Sequence, residues 1–334
     1  MRAGYYVGNR TYEVRDIPVP VPQGNEVLIE VAWCGLCATD LHKFDGLSGA
    51  SKVVPPVILG HECSGIVVDT GPDCTAFAVG DRVACNPSYF CGVCDRCRVG
   101  KPHFCRSRHG VAKGLSEYVS TPQQNVHHVS AALDLQDAAF AEPLSCALRG
   151  VDLLAAQPGA NIALYGLGGV GSLMLQLLLQ SGAASVTVVE REPRKRELAL
   201  ALGANRAVTD SEIEKIATQV NFDYVVECIG RQSTMEQALD IAGLGAKVML
   251  FGLGDPASPV RLNQYAAYTK ELSILTSYLN PGTTERAVRL LESGRLDTRS
   301  LVSAELSLDE VGEELATPRH IKEGKVMVRL SGKH

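Results

Sequence analysis

Hydrophobic and polar positions change their rhythm near the middle of this chain. Asn25 to Ala32 (NEVLIEVA) begins as a polar–apolar alternation, and Gly65 to Val68 is a short β-branched run. Pro18, Pro20, Pro22, Pro55 and Pro56 punctuate the segments between. Period-two runs broken by turn residues predict an irregular, mostly β region with long loops. From about Asn161 the texture differs. Apolar runs at Asn161–Tyr165, Ser185–Val189, Asp223–Cys228 and Ala246–Phe251 alternate with helical stretches at Val170–Gln180, Pro193–Ala201 and Ser233–Ala242. Continuous apolar strands alternating with helices predict a parallel sheet covered on both faces. Pro193 stands where a first helical turn is expected, and Gly203 and Gly243 where helix C-caps are. A further helix is expected over Glu285–Ser293, stopped by Gly294, and a last strand over Lys325–Leu330.

At 334 residues the chain exceeds what one core usually serves, so two domains are expected. A net charge of -5 argues against a nucleic-acid partner, which wants a basic face. The start, Met1-Arg2-Ala3-Gly4-Tyr5-Tyr6, has no apolar leader, and the most apolar run, Leu173–Leu179, is short and broken by Gln176. No membrane partner and a cytoplasmic location are therefore expected. Eleven cysteines change the picture more. Their number is odd and most crowd between Cys34 and Cys105, which in a reducing compartment points to metal or to reactive thiols.

Two cysteine-bearing stretches carry distinct chemistry. Cys91, Cys94, Cys97 and Cys105 fall at x2, x2, x7 spacing. Four thiolates within fifteen residues would close a tetrahedral zinc site with no open position, hence a structural one. The iron–sulfur pattern that also begins C-x2-C-x2-C continues differently, with three residues and a proline. Upstream, Cys37, Thr39, Asp40 and His42 are followed by Gly60-His61-Glu62. Thiolate, imidazole and carboxylate are the ligand types of a catalytic zinc with one position left open. Cys34, Cys37 and Cys63 could equally be small core residues, since free cysteine is commonly buried.

Gly166-Leu167-Gly168-Gly169-Val170-Gly171 follows a predicted strand and opens a helix, the setting in which G-x-G-x-x-G signals a dinucleotide. Gly166 permits the tight turn, Gly168 lets the backbone approach a pyrophosphate, and Gly171 lets the helix lie close. Glu190 ends the next strand, where a carboxylate accepts from a ribose 2′-hydroxyl and repels a 2′-phosphate. NAD is thus expected over NADP, although Arg191 could serve a 2′-phosphate or stack on adenine.

Taken together and in this order, the Cys37/Thr39/Asp40/His42 cluster, Gly60-His61-Glu62, the cysteine quartet, Gly80-Asp81-Arg82-Val83 and the glycine loop resemble the zinc-containing medium-chain alcohol dehydrogenases over essentially the whole chain. Glu142-Pro143-Leu144 and the stretch from Lys270-Glu271 through Ser277-Tyr278-Leu279-Asn280-Pro281 resemble the sorbitol-like polyol and threonine dehydrogenase branch. The resemblance implies an α/β protein: a GroES-like, mostly β catalytic domain (1–147 and 279–334) and a Rossmann doubly wound domain (148–278). It also implies a catalytic zinc on Cys37 and His61, with Glu62 or Glu142 as third ligand. Thr39 and His42 would form a proton relay, and Asp40 would orient a ligand. A homodimer or homotetramer acting on a polyol, sugar alcohol or (amino)cyclitol with NAD(H) is implied. An acyclic diol or threonine-like amino alcohol is the alternative substrate. A zinc-free quinone or enoyl reductase would lack Cys37, His61 and the quartet, and a non-catalytic nucleotide-binding protein would not need the relay. Ser277 falls where sorbitol-type enzymes carry an arginine, Ala38 replaces a basic residue of classical members, and Arg149 replaces a frequent histidine.

Overall fold

The computed structural model describes residues 1–47, 54–111 and 113–331. The last three residues of the expected catalytic domain lie outside that set. The chain divides into two compact units, one formed by Met1–Ser145 and the segment from Leu279 onward, the other by Cys146–Tyr278.

The first unit is built on a seven-stranded sheet whose central strand is Glu26–Leu36. This strand outruns the expected Asn25–Ala32 because Trp33, Cys34, Gly35 and Leu36 are buried on both faces, which masks any alternation. On one side it pairs antiparallel with Glu62–Thr70, placing Gly35 opposite Glu62 and Cys34 opposite Cys63. On the other it pairs with Lys325–Arg329, placing Leu36 opposite Val326. Val27, Ile29, Val31, Leu36, Val67, Val83, Val326 and Val328 form the core beneath. A helix at Ala38–Phe44 follows the central strand directly and drives Phe44 into that core.

The cysteine quartet occupies a lobe with little regular structure. It holds a four-residue helix at Asp95–Arg98, a 3₁₀ turn at Pro102–Phe104 and a two-residue ladder joining Ser88–Tyr89 to His109–Gly110. Val93, Val99 and Phe104 stay exposed, so this segment has almost no apolar core to hold it.

The second unit is a six-stranded, all-parallel sheet. The spatial order is Arg206–Val208, Ser185–Val189, Asn161–Tyr165, Phe222–Glu227, Ala242–Leu250, Ser273–Thr276. The order reverses between Asn161–Tyr165 and Phe222–Glu227, the switch point at which doubly wound sheets open a crevice beyond their carboxyl ends. The helices at Gly169–Gln180 and Pro193–Ala201 lie where periodicity placed them. Gly203, with φ +104°, closes the latter in the left-handed conformation expected of a C-cap. Gly243 does not. The Gln232–Ile241 helix ends at an extended Ala242, and Gly243 already lies in the next strand. Among the described residues no helix is long and apolar enough to cross a membrane.

Candidate functional site

In the first unit, Cys37 caps the Ala38–Phe44 helix. Its sulfur accepts from the Thr39 amide at 3.5 Å, and its own amide donates to Asp40 Oδ2 at 3.2 Å. This reciprocal box fixes Cys37 at the helix start, with its sulfur turned back onto the first-turn amides. Thr39 and His42, three residues apart on the helix, are both partly exposed. Asp40 is fully buried, and its Oδ1 accepts from the Gly60 amide at 3.1 Å and lies 3.4 Å from His61 Nδ1. Gly60 has φ +79°, and a Cβ there would sit 2.8 Å from Cys34 Sγ, so the turn presenting His61 needs glycine.

Burial alone would raise the Asp40 carboxyl, but His61, Lys43 and the Gly60 amide outweigh it and hold it below the ordinary carboxylate range. Burial likewise works against charge on His61, and Asp40 with Cys37 outweighs it, raising that pKa. The groups gathered here therefore stabilise positive charge. One ligand atom from each of Cys37, His61 and Glu62 lies within 4.8 Å of the others. Glu62 is fully buried, and its Oε1 has no hydrogen-bond partner among the described residues. A soft thiolate, an imidazole and an orphaned carboxylate oxygen at that spacing fit a zinc ion. Glu142, at the start of the Ala141–Leu154 helix, is not in that group of three, though its charge is felt by Lys325 and Cys63.

Lys325 is the residue that sequence reasoning missed. It opens the last strand of the sheet, is buried, and forms an ion pair with Glu62 Oε2. Burial works against its charge, but Glu62, Cys37 and Glu142 outweigh this and raise its pKa. In sequence it is one lysine among thirty-two basic residues, at the edge of an alternating strand. A buried lysine is rare enough to mark a site, but its burial comes from strand pairing and not from any local signal.

In the lobe, Cys91, Cys94, Cys97 and Cys105 also bring their sulfurs within 4.8 Å of one another, and all four are free thiols. Cys105 Sγ lies 3.5 Å from Cys91 Sγ and 3.9 Å from Cys94 Sγ. The amides of Cys97 and Arg106 bring the Cys94 thiol down to about 6, while desolvation and the Cys94 sulfur push Cys97 up to about 12. Four sulfurs this close cannot all ionise without a cation between them, and a tetrahedral zinc fits.

In the second unit, Gly166 follows the Asn161–Tyr165 strand with φ +87°, and Gly168 is the N-cap of the Gly169–Gln180 helix. A Cβ on Gly168 would meet nothing within 4 Å, so the helix N-terminus is open to a phosphate there. A Cβ on Gly171 would collide with the Gly166 carbonyl, which is how closely the helix and the turn approach. Gly169 and Val170 form the first turn, whose amides have no partner within the helix. Glu190 is buried and braces the loop: its Oε2 accepts from the Leu167 amide at 2.9 Å and its Oε1 from the Glu192 amide at 3.1 Å. Each oxygen keeps a second lone pair for a ribose hydroxyl. Arg191 is exposed beside it, 3.6 Å from Glu192 Oε1. Ser277 and Tyr118 are partly exposed, and Arg149 is partly exposed on the Ala141–Leu154 helix.

Comparison with known proteins agrees with this chemistry. Residues 23–131 match the alcohol dehydrogenase GroES-like domain, and residues 169–293 match the zinc-binding dehydrogenase model. The chain is 32% identical to D-arabinitol dehydrogenase 1 of Uromyces fabae, over 94% of this chain and 93% of that protein. It is 30% identical to sorbitol dehydrogenase of Bacillus subtilis, over 98% and 97% respectively. Among solved structures, a zinc-binding dehydrogenase of Sinorhizobium meliloti bound to NADP superimposes with a TM-score of 0.92, at 32% identity and 98% coverage of both chains.

Proposed function

The chain belongs to the zinc-binding alcohol dehydrogenase family, and from that premise we propose that it exchanges hydride between NAD(H) and a secondary carbinol of a polyol, sugar alcohol or (amino)cyclitol. The observation that carries the reading is the convergence of Cys37, His61 and Glu62 within 4.8 Å, backed by a buried Asp40. With Nδ1 turned to Asp40, Nε2 is the imidazole nitrogen left for a metal. Glu62 completes the set in preference to Glu142, which is not in that group.

Zinc held by these three residues would lower the pKa of a coordinated hydroxyl many units toward neutrality, as it brings bound water from 15.7 to about 7. Asp40 accepts from the Cys37 amide and stands 3.4 Å from His61 Nδ1, so one carboxylate backs two of the three residues. Thr39 Oγ1 would accept the substrate hydroxyl's proton while releasing its own toward the dinucleotide's ribose hydroxyl, and His42, one helical turn on, would deliver a proton from there to solvent. Gly166 and Gly168 would let the backbone approach, and the first-turn amides of Gly169, Val170 and Gly171 would hold, a pyrophosphate.

Glu190 supports NAD as the preferred dinucleotide, since a 2′-phosphate would meet a buried carboxylate. The Sinorhizobium relative was solved with NADP, and Arg191 is the residue here that could receive a 2′-phosphate. The polyol class is supported by the arabinitol and sorbitol enzymes among the relatives. A homodimer or homotetramer is supported by the outer edge of the Ser273–Thr276 strand, with Tyr265 and Tyr268 exposed near it in sequence at 74% and 77%. A cytoplasmic enzyme fits the reduced cysteine clusters.

The test is reduction of NAD and of NADP over a panel of polyols, cyclitols, acyclic diols and threonine, with zinc counted per chain and with Cys37→Ser as control. About two zincs, turnover of a polyol or cyclitol, and a Cys37→Ser variant that is inactive yet binds dinucleotide are expected. Turnover near wild type in Cys37→Ser refutes the ligand assignment, and turnover confined to threonine or acyclic diols refutes the substrate class.

A further inference from the structure

The carboxylate proposed as third ligand is already claimed by another cation. Lys325 Nζ pairs with Glu62 Oε2, and both side chains are buried. Glu62 Oε1 accepts nothing among the described residues. Oε2, which likewise has no hydrogen-bond partner of ordinary geometry, is the oxygen that meets the ammonium, so the ion pair alone distinguishes the two. Strand pairing enforces this. Gly35 lies opposite Glu62 on one side and Met327 on the other, and a Cβ at Gly35 would collide with the Glu62 carboxylate and come within 2.8 Å of Lys325 Cε. Only a residue without a side chain leaves room for the pair.

The supports of the two ligands differ in sign. His61 has a carboxylate behind it, which makes the imidazole a better donor to a metal. Glu62 has an ammonium behind it, which withdraws charge from the donor oxygen. Lys325 also feels the charges of Cys37 and Glu142, so it faces the same cluster of anions that a divalent cation would meet.

We propose that Lys325 is a positioning residue that competes with zinc for Glu62, weakening that one ligand and standing in for part of the metal's charge when the site is empty of metal. The inference rests on Cys37, His61 and Glu62 holding zinc. Without zinc the ammonium compensates a buried carboxylate that would otherwise be unpaired. With zinc in place it divides Glu62 between two cations, leaving Cys37 and His61 as the firm ligands.

The experiment measures zinc affinity by chelator competition on full-length wild type, K325M and K325R, with melting temperatures of metal-free and zinc-loaded forms. K325M is expected to hold the catalytic zinc about 10- to 100-fold more tightly, the size of change that altered outer-shell partners produce. Its metal-free form should melt lower than wild type, and its zinc-induced rise in melting temperature should be larger. K325R, which keeps the charge, should stay close to wild type in affinity. In an E62Q background K325M should no longer tighten zinc, because the contested anion has gone. K325Q replaces K325M if the latter does not accumulate folded, and carries the same expectation. Unchanged or weaker zinc binding in the folded neutral variant overturns the proposal, as does equal tightening in E62Q. Zinc counts on C37S keep the two readings apart. If C37S retains both zincs, the metal assignment itself is wrong. If it loses one while K325M changes nothing, only the competition is wrong.

Discussion

Replacing Asp40 with alanine would strike the proposed catalytic centre without touching a proposed ligand. In the intact protein the Asp40 carboxylate accepts from the amides of Cys37 (3.2 Å) and Gly60 (3.1 Å) and lies 3.4 Å from His61 Nδ1. Alanine leaves two amides without acceptors in a buried pocket, each costing about 1–3 kcal/mol. Relief of the carboxylate's own desolvation offsets part of that, so a net loss of about 3 kcal/mol is expected. In a unit of this size this lowers Tm by about 6–12 °C. The effect on metal should be separable. With the imidazole no longer oriented, zinc affinity at Cys37 and His61 should fall about 10- to 100-fold, while the cysteine quartet keeps its ion. Chelator competition with zinc counting, alongside thermal melts, reads both. D40N, which keeps the shape and one acceptor oxygen, should fall between. Two zincs retained at wild-type affinity together with an unchanged melting temperature would refute the claim that Asp40 positions the ligands.

The glycine loop offers a paired comparison. G168A should leave stability within about 1 kcal/mol of wild type, because its Cβ meets nothing, yet weaken dinucleotide binding measured by NADH fluorescence. G171A should lose both stability and binding, because its Cβ would strike the Gly166 carbonyl; equal stability of the two variants would contradict this. Tyr165 is fully buried and its hydroxyl has no partner among the described residues, so Y165F should be neutral or stabilising by up to about 1 kcal/mol in urea unfolding. A loss above that would mean the hydroxyl is satisfied by water. C94S should release one zinc of two and lower the melting temperature, since the lobe has almost no apolar core; a variant that melts like wild type would show that the lobe holds itself.

Much of the architecture was readable from the amino-acid order because it depends on neighbours in the chain. The Asn161–Tyr165 strand, the glycine turn and the helix after it follow from apolar period and from Gly166 and Gly171, positions that only glycine can occupy. The quartet's clustering was readable for the same reason, since its four cysteines fall within fifteen residues of chain. Less was legible where burial on both faces hides alternation, as in the four residues by which the central strand overruns Ala32, or where a strand begins without the turn that Gly243 suggested.

Tertiary structure decided what depends on register. Sequence leaves Glu62 and Glu142 with equal claims to complete the proposed ligand set; among the described residues, the pairing of Gly35 with Glu62 groups Glu62 with Cys37 and His61, which is what the proposal of Glu62 rests on. The same central strand carries Lys325 from the far end of the chain onto that carboxylate. Whether a charged side chain is a solvated ornament or a buried partner is set by which strands lie next to each other. That is a property of long-range packing, and no local pattern records it.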